Sequence, residues 1–187
     1  NGGITLESDA NGTATIMDSY ETPTINATVK QYVTAGRNWY VSPSVTGAAY
    51  SVLNRGASVV EWDETIKDWV TKSSGTLTPG KGYIQVATVA QGSTGTIDFN
   101  GLTNSGDIPV SVTRTESGTS RGFNLVGNPY PSYLNWEQVL NLNATNESLL
   151  QPSIWYRTAT YNNEEGKFDY TFNTYNSTSR VAVPSSR

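Results

Sequence analysis

The sequence predicts an all-β protein with a β-sandwich fold of jelly-roll-like character, and two observations support this. Short segments rich in Val, Ile, Thr and aromatic residues recur along the 187 residues, and clusters of Gly, Asn, Asp, Ser and Pro separate them at short intervals. Helical spacing of apolar residues is confined to one segment near residues 135–142. We therefore expect many short strands and one short helix.

The first strands are predicted from turn chemistry and alternation. Asp9-Ala10-Asn11-Gly12 lies between two short apolar segments, and Asn-Gly tolerates the positive φ angles of a tight hairpin. The following segment, residues 25–33, alternates between apolar and polar positions, as in a strand with one buried face. A turn at Gly36 then leads into a strand in "NWYVSP".

The middle of the chain predicts a second hairpin in residues 58–72. Trp62 and Trp69 would flank its polar turn as a cross-strand aromatic pair. The segment "GYIQVATVA" predicts the next strand, and residues 95–115 predict two more. The short helix then begins after Ser132 or Asn135, either of which can cap its N-terminus.

Two motifs occur twice, about ninety residues apart, as in a degenerate duplication. "NWYVSPSVTG" resembles "FNLVGNPYPS", and "SVVEWDETIKDWV" resembles "SIWYRTATYNNEEGKFDYTF". We therefore predict two related halves, residues 1–98 and 99–187, packed as one unit. After its hairpin the second half reaches only "RVAVPSSR", so we hypothesise that its last strand is missing from this chain.

The composition excludes several classes of function. The chain has no histidine and no cysteine, which removes Ser-His-Asp and Cys-His catalysis and Cys- or His-ligated zinc. Its net charge is −4 and its 12 basic residues are scattered, so we expect no nucleic-acid partner. The apolar runs are too short to span a membrane. Only 15% of residues are charged, which is typical of bacterial extracellular β proteins.

Aromatic residues are the candidate ligand-binding groups, because exposed aromatic rings stack on the apolar faces of sugars. The chain has 5 Trp, 11 Tyr and 4 Phe. The predicted site consists of Tyr130, Tyr133, Trp136, Trp155 and Tyr156, with Trp39 and Tyr40 as counterparts in the first half. The alternative is that these rings fill the core of the sandwich. Adjacent residues of a strand face opposite ways, so one of each Trp-Tyr pair should point inward and the other outward.

The acidic residues suggest two further interpretations. Carboxylates cluster around the two hairpin turns, at Glu61, Asp63, Glu64 and Asp68 and at Glu164, Glu165 and Asp169. A glycosidase needs two facing carboxylates, one with a raised pKa, and solvated turns do not provide this. Possible calcium ligands near turns are Asp9, Asn11, Asp98, Asn100 and Asp107, although none follows a spaced calcium loop. Apart from calcium, no cofactor is predicted.

Nearly the whole chain resembles a region of large secreted Bacteroidetes surface proteins. The motifs that carry the resemblance are "LESDANGTATIMD", "ATVKQYVTAGRNWYVSPSVTG", "EWDETIKDWV", "LTPGKGYIQV", and "GFNLVGNPYPSYLNWEQV" followed by "SIWYR". In that group the region often precedes a C-terminal sorting domain of the type IX secretion pathway, and the second half usually continues into a further strand that this chain lacks. The resemblance implies an extracellular or outer-surface location and a β-rich, non-catalytic, adhesin-like character.

Composition and resemblance together predict a non-enzymatic extracellular module of a larger bacterial surface protein, serving adhesion or glycan attachment. Its partner would be a glycan or another ligand on a host or bacterial surface. Two alternatives stay open at this point: a structural spacer without a ligand, and a glycoside hydrolase. An exposed aromatic row favours the first function, full burial of the rings favours a spacer, and a cleft with two facing carboxylates favours a hydrolase.

Overall fold

The computed structural model describes residues 3–18, 21–22, 25–53, 59–85, 95–179 and 181–184. The chain forms two compact units, Asn1–Tyr133 (unit 1) and Leu134–Arg187 (unit 2). The boundary between them differs from the predicted division after residue 98. The reason is that residue 98 lies inside a strand, Gly95–Leu102, which pairs along its whole length with Asn26–Val33 of unit 1.

Unit 1 contains two sheets and a small hairpin. The strands are β1 (Ile4–Leu6), β2 (Ser8–Asp9), β3 (Gly12–Thr13), β4 (Asn26–Val33), β5 (Trp39–Val41), β6 (Val59–Asp63), β7 (Asp68–Lys72), β8 (Tyr83–Gln85) and β9 (Gly95–Leu102). One sheet has the order β1-β4-β9, with β1 parallel to β4 and β9 antiparallel to it. The other has the order β5-β8-β6-β7, and β2 pairs with β3. A 3-10 turn spans Tyr50–Val52.

The core of unit 1 combines buried side chains from both sheets. Both sheets and the loops that connect their strands contribute to this one cluster: Leu6, Ala27, Val29, Ile97 and Phe99 from the first sheet, Val41, Val59 and Tyr83 from the second, and Val45, Ala48, Leu53 and Leu77 from the loops. Each sheet therefore buries one face against the other, as in a sandwich. The predicted all-β, sandwich-like fold class is confirmed.

The two predicted hairpins of unit 1 are confirmed. In the first, the carboxylate of Asp9 accepts hydrogen bonds from the backbone N–H groups of Asn11 (2.7 Å) and Gly12 (3.1 Å), which fixes the turn. In the second, Trp62 lies opposite Trp69, and the two rings meet edge to face with centroids 5.2 Å apart. The predicted strand "GYIQVATVA" begins as β8, and its residues 86–90 lie outside the described residues.

The second strand predicted in residues 95–115 does not form. After β9 ends at Leu102, the chain runs as irregular structure as far as the first helix of unit 2, apart from isolated bridges. Side chains replace a neighbouring strand as hydrogen-bond partners. Asn124 accepts from the N–H of Thr113 (3.0 Å) and donates to its carbonyl (2.8 Å). Pro109, which has no N–H, also weakens this segment as a strand.

Unit 2 begins with two short helices and continues into a three-stranded sheet. The helices are α1 (Trp136–Asn141) and α2 (Ala144–Leu149), and the strands are β10 (Ser153–Asn162), β11 (Lys167–Asn176) and β12 (Val181–Pro184), in the order β10-β11-β12. Helix α1 confirms the predicted helix, and Asn135 caps it through a hydrogen bond from the N–H of Gln138. Helix α2 was not predicted, because its mostly polar six residues carry little apolar periodicity. No helix among the described residues is long and apolar enough to cross a lipid bilayer.

Candidate functional site: an aromatic cleft in unit 1

An open cleft of about 560 Å³ lies on unit 1. Its walls come from the β2–β3 hairpin, strands β4 and β5, and residues 126–133 of the irregular segment that precedes unit 2. Three of the seven predicted site residues line it, namely Tyr40, Tyr130 and Tyr133. Two of these three come from the "GNPYPSY" motif and one from "NWYV", so the cleft joins the two segments that resemble each other in the sequence.

Tyr40 and its neighbour Trp39 make different contacts on β5. Trp39 packs against the core of unit 1, and its indole N–H donates to the carbonyl of Thr34 (3.1 Å). Tyr40 therefore lies on the opposite face of β5. Its ring centroid lies 6.2 Å from that of Trp69, which in turn contacts Trp62. The inward packing predicted for one ring of this pair is thus seen at Trp39, while Tyr40 is half-buried and its outward orientation stays a prediction.

The other two tyrosines differ in how firmly they are held. Tyr133 is 90% exposed. The hydroxyl of Tyr130 donates to the carbonyl of Gly106 (2.7 Å), and Asn128 accepts from the N–H of Tyr130 (3.0 Å) while donating to the carbonyl of Ser132. Burial, aided by the charge of Asp107, raises the pKa of Tyr130, so this phenol stays neutral. Tyr130 thus shapes the wall, and Tyr133 supplies the accessible ring.

The polar groups of the cleft are mostly neutral. They include Ser42, Gln31 and Asn128. The ammonium of Lys30 is paired with Glu7 at 3.0 Å. The hydroxyl oxygen of Ser42 is buried without a hydrogen-bond partner among the described residues. A buried hydroxyl without a hydrogen-bond partner costs free energy.

A buried amide fixes the wall of the cleft. Asn104, only 3% exposed, donates to the carbonyls of Pro43 (3.2 Å) and Pro129 (2.7 Å) and accepts from the hydroxyl of Thr46 (2.8 Å). Asn104 therefore links the two related segments through the carbonyl groups of their prolines, Pro43 and Pro129. Sequence reasoning missed Asn104, because nothing in "GLTNSG" distinguishes a buried bridging amide from an ordinary turn residue.

Close backbone contact completes that wall. The N–H of Gly127 donates to the carbonyl of Gly80 (3.0 Å), and the N–H of Gly82 donates to the carbonyl of Leu125 (2.9 Å). A Cβ atom at Gly127 would lie 2.3 Å from the Cβ of Ser42, so no larger residue fits without moving the wall. The glycine of "GNP" is therefore required by proximity to Ser42.

The remaining predicted residues lie elsewhere. Trp39 belongs to the core of unit 1, as described above. Within unit 2, Trp136 is half-buried and its indole N–H donates to the carbonyl of Pro152 (3.3 Å). Trp155 and Tyr156 are 53% and 44% exposed on opposite faces of β10. The expectation that one of these two points inward is wrong, because no second sheet encloses either face among the described residues of unit 2.

The carboxylates of the β6–β7 turn serve as hydrogen-bond acceptors. Glu64, 3% exposed, accepts from the N–H groups of Gly122 (2.7 Å) and Thr115 (2.8 Å) and from the hydroxyl of Thr115 (2.9 Å). These hydrogen bonds, led by that from Gly122, lower the pKa of Glu64 to about 2. Hydrogen bonds from Thr65 also lower the pKa of Asp63. Both groups are thus held as carboxylates, whereas a general acid needs a raised pKa.

Glu61 belongs to a separate charged cluster on the core side of the second sheet. Its carboxylate lies 3.2 Å from the ammonium of Lys81 and 3.7 Å from that of Lys72. Burial, followed by the negative charge of Glu61, raises the pKa of Tyr50 to about 12. The two lysines offset the negative charge of the buried Glu61, which would otherwise be buried without a partner.

The calcium candidates are Asp9, Asn11, Asp98, Asn100 and Asp107, and the structure places them in three separate segments. Asp9 is occupied by the hairpin turn, as described above. Asn100 accepts from the hydroxyl of Thr28 (2.6 Å) and lies two residues from Asp98 on β9. Among the described residues, no three Asp or Glu side chains are grouped closely enough to hold a metal ion. Calcium binding stays a prediction.

Comparison with known proteins identifies one match. No curated protein and no solved structure shows significant similarity to the chain. One family model matches residues 4–185. Because this match covers almost the whole sequence, the chain belongs to the family described as "Domain of unknown function (DUF8693)".

Proposed function

We propose that the chain is a non-enzymatic module of a bacterial extracellular surface protein and that its unit 1 cleft attaches to glycans. The observation that carries this proposal is the grouping of Tyr40, Tyr130 and Tyr133 with neutral polar groups around one open cleft. Ligand sites typically combine apolar and aromatic walls with a few placed polar groups. A sugar needs both, because its ring faces are apolar and its edges carry hydroxyls.

The polar lining supports a neutral ligand over a charged one. The one lysine of the cleft, Lys30, is paired with Glu7. A sugar hydroxyl can donate and accept at once, which suits neutral side-chain amides such as those of Gln31 and Asn128 in the cleft. Tyr133, with 90% of its surface exposed, is free to stack on a pyranose face. The mechanism is therefore ring stacking with neutral hydrogen bonds.

Two further observations support a binding module over a hydrolase. The pKa values of Glu64 and Asp63 are lowered, which opposes proton donation to a leaving group. Asp63 ends β6 and Glu64 begins the β6–β7 turn, and neither lines the cleft. The low charge content and the resemblance to secreted surface proteins support an extracellular location.

A glycan array probed with the folded chain tests the proposal, followed by titration of each bound glycan against two variants. We expect Tyr133→Ala to weaken binding by about 1 to 3 kcal/mol, by analogy with base stacking on aromatic rings. Phe172→Ala removes an exposed ring from β11 of unit 2 that does not line the cleft, and it should leave binding unchanged.

The outcomes separate the open alternatives. Loss of binding in Phe172→Ala with none in Tyr133→Ala would move the site away from the cleft. No binding to diverse plant, host and bacterial glycans, with the fold confirmed by circular dichroism, would favour the ligand-free spacer. Release of reducing sugar from a bound glycan would favour the hydrolase.

A further inference from the structure

Strand β10 has a long edge that no described strand covers. It contributes ten residues, Ser153–Asn162, and pairs only with β11 among the strands that the structure describes. Strand β12 extends the sheet on the other side, where it pairs with residues 173–176 of β11. In an edge strand, alternate N–H and C=O groups point away from the sheet, so β10 can accept another strand.

The edge lacks the features that normally prevent strand addition. Proteins protect edges with proline, lysine, bulges or very short strands. Strand β10 contains no proline and no lysine, and its pairing with β11 is continuous from Ser153↔Asn176 to Asn162↔Lys167 without a bulge. Its one charged residue is Arg157, whose guanidinium lies 3.6 Å from the ring centroid of Tyr170. The edge is therefore long, regular and weakly charged.

We propose that two copies of the chain pair through their β10 edges, antiparallel and around a two-fold axis. In an antiparallel strand pair, directly opposite residues have their side chains on the same side of the sheet. A two-fold axis between identical strands meets this condition only if one residue lies directly opposite the same residue of the second copy. That central residue defines the register. A centre at Arg157 would place two guanidinium groups opposite each other, which is unfavourable. A register with Thr158 opposite Thr158 avoids this repulsion. It pairs residues 154–162 of one copy with residues 162–154 of the other.

The Thr158 register also gives favourable neighbours. Arg157 lies opposite Ala159 of the second copy, and two threonines meet at the axis. Trp155 lies opposite Tyr161 of the second copy, and both rings are at least half exposed in the single chain. Cross-strand aromatic and Thr-Thr pairs both stabilise sheets. Strand addition by a second copy therefore covers part of an aromatic face that one chain leaves in solvent.

Cysteine cross-linking tests the register, and the chain suits it because it contains no native cysteine. In the proposed dimer a Thr158→Cys side chain meets its own counterpart, within the Cα separation of about 4.4 to 6.8 Å that a disulfide needs. The matched control is Thr160→Cys, whose counterpart would lie four residues further along the strand pair. Under mild oxidation we expect a covalent dimer from the first variant and little from the second. Equal cross-linking of both variants would overturn this register.

A charge pair tests the association itself. Sedimentation velocity should give twice the monomer mass at high protein concentration. Ala159→Lys places a second positive charge opposite Arg157 of the other copy and should weaken the dimer by roughly tenfold or more, whereas Ala159→Glu should strengthen it. A monomer at millimolar concentration, or equal effects of both substitutions, would contradict the proposal. Glycan binding by the cleft is measured separately, so either proposal can fail alone.

Discussion

The two long hairpins of the molecule have nearly the same turn and different surroundings. In β6–β7, the rings of Trp62 and Trp69 meet beside the turn at 5.2 Å and 74°. In β10–β11, the rings of Tyr161 and Phe168 do so at 5.1 Å and 68°. These hairpins form from the two segments that resemble each other in the sequence, which begin at Ser58 and Ser153. A duplication of the whole halves stays a hypothesis.

The match extends to the backbone of the turns. Asp63 accepts from the N–H of Thr65 (2.9 Å), and Asn162 accepts from that of Glu164 (3.0 Å). Each turn also has one residue with positive φ shortly before the second strand, Lys67 at 57° and Gly166 at 64°. Local sequence therefore determines the turn, with different residues filling the same roles.

The surroundings then separate the hairpins. Strand β6 pairs with β8 through Val60↔Ile84, and the indole of Trp62 donates to the carbonyl of Phe123 (2.8 Å). Strand β10 has no such neighbour among the described strands, and Tyr161 is 50% exposed. Hairpins with nearly the same turn therefore become buried or exposed according to what packs against them.

The largest expected difference concerns the aromatic pairs. Trp62→Ala should lower the free energy of unfolding by about 2 to 3 kcal/mol, because it removes a half-buried ring and leaves the carbonyl of Phe123 without its donor. Tyr161→Ala should cost about 1 kcal/mol, since its ring is half in solvent. Urea denaturation measures both. Equal losses would show that the two hairpins are equally embedded.

The next difference depends on pH and concerns the turn carboxylates. The pKa of Glu64 is lowered from 4.5 to about 2 in the folded chain, so its carboxylate stabilises the fold above pH 4.5, and that stabilisation is lost as the pH falls through about 2. Glu64→Gln should therefore lower the melting temperature at pH 7, and its deficit should shrink between pH 4.5 and 2.

The control for this experiment is Glu164→Gln in the other turn, where the side chain is exposed. We expect no change in melting temperature at either pH. A deficit of Glu64→Gln that stays constant down to pH 2 would mean that the hydrogen bonds from Thr115 and Gly122 do not depend on the charge of the carboxylate.

The smallest expected effect concerns the positive φ of the second turn. A Cβ added at Gly166 would meet nothing within 4 Å, so Gly166→Ala should cost only the backbone strain, about 1 kcal/mol. Gly95→Ala is matched, since its Cβ would also be in open space, but its φ is not positive. It should leave the free energy of unfolding in urea unchanged or slightly higher. An equal loss at both glycines would remove φ as the cause.

Patterns with a short range were predictable from the sequence. Alternation in residues 25–33, the Asn-Gly hairpin, the Trp62–Trp69 pair and the capped helix after Asn135 each depend on residues close in sequence or directly opposite in a hairpin. The strand expected after residue 102 was wrong. Its apolar residues matched a strand pattern, but no strand that the structure describes lies beside it to complete the hydrogen bonds.

The candidate site was predictable only in part. Aromatic content identified Tyr40, Tyr130 and Tyr133, but composition could not separate them from Trp39 and Trp136, which belong to packing. The difference depends on which face of a strand meets the core and which carbonyl lies near an indole. These are contacts between residues far apart in sequence.

The sequence by itself determined the fold class, the two matched turns and the absence of histidine and cysteine chemistry. These features depend only on composition or on residues close together in the chain. Tertiary structure decided the rest. It brought Asn104 between Pro43 and Pro129, placed Glu64 against the backbone of Thr115, and left the edge of β10 uncovered among the described strands. These features depend on long-range packing, and no local pattern specifies which distant segment will supply the partner.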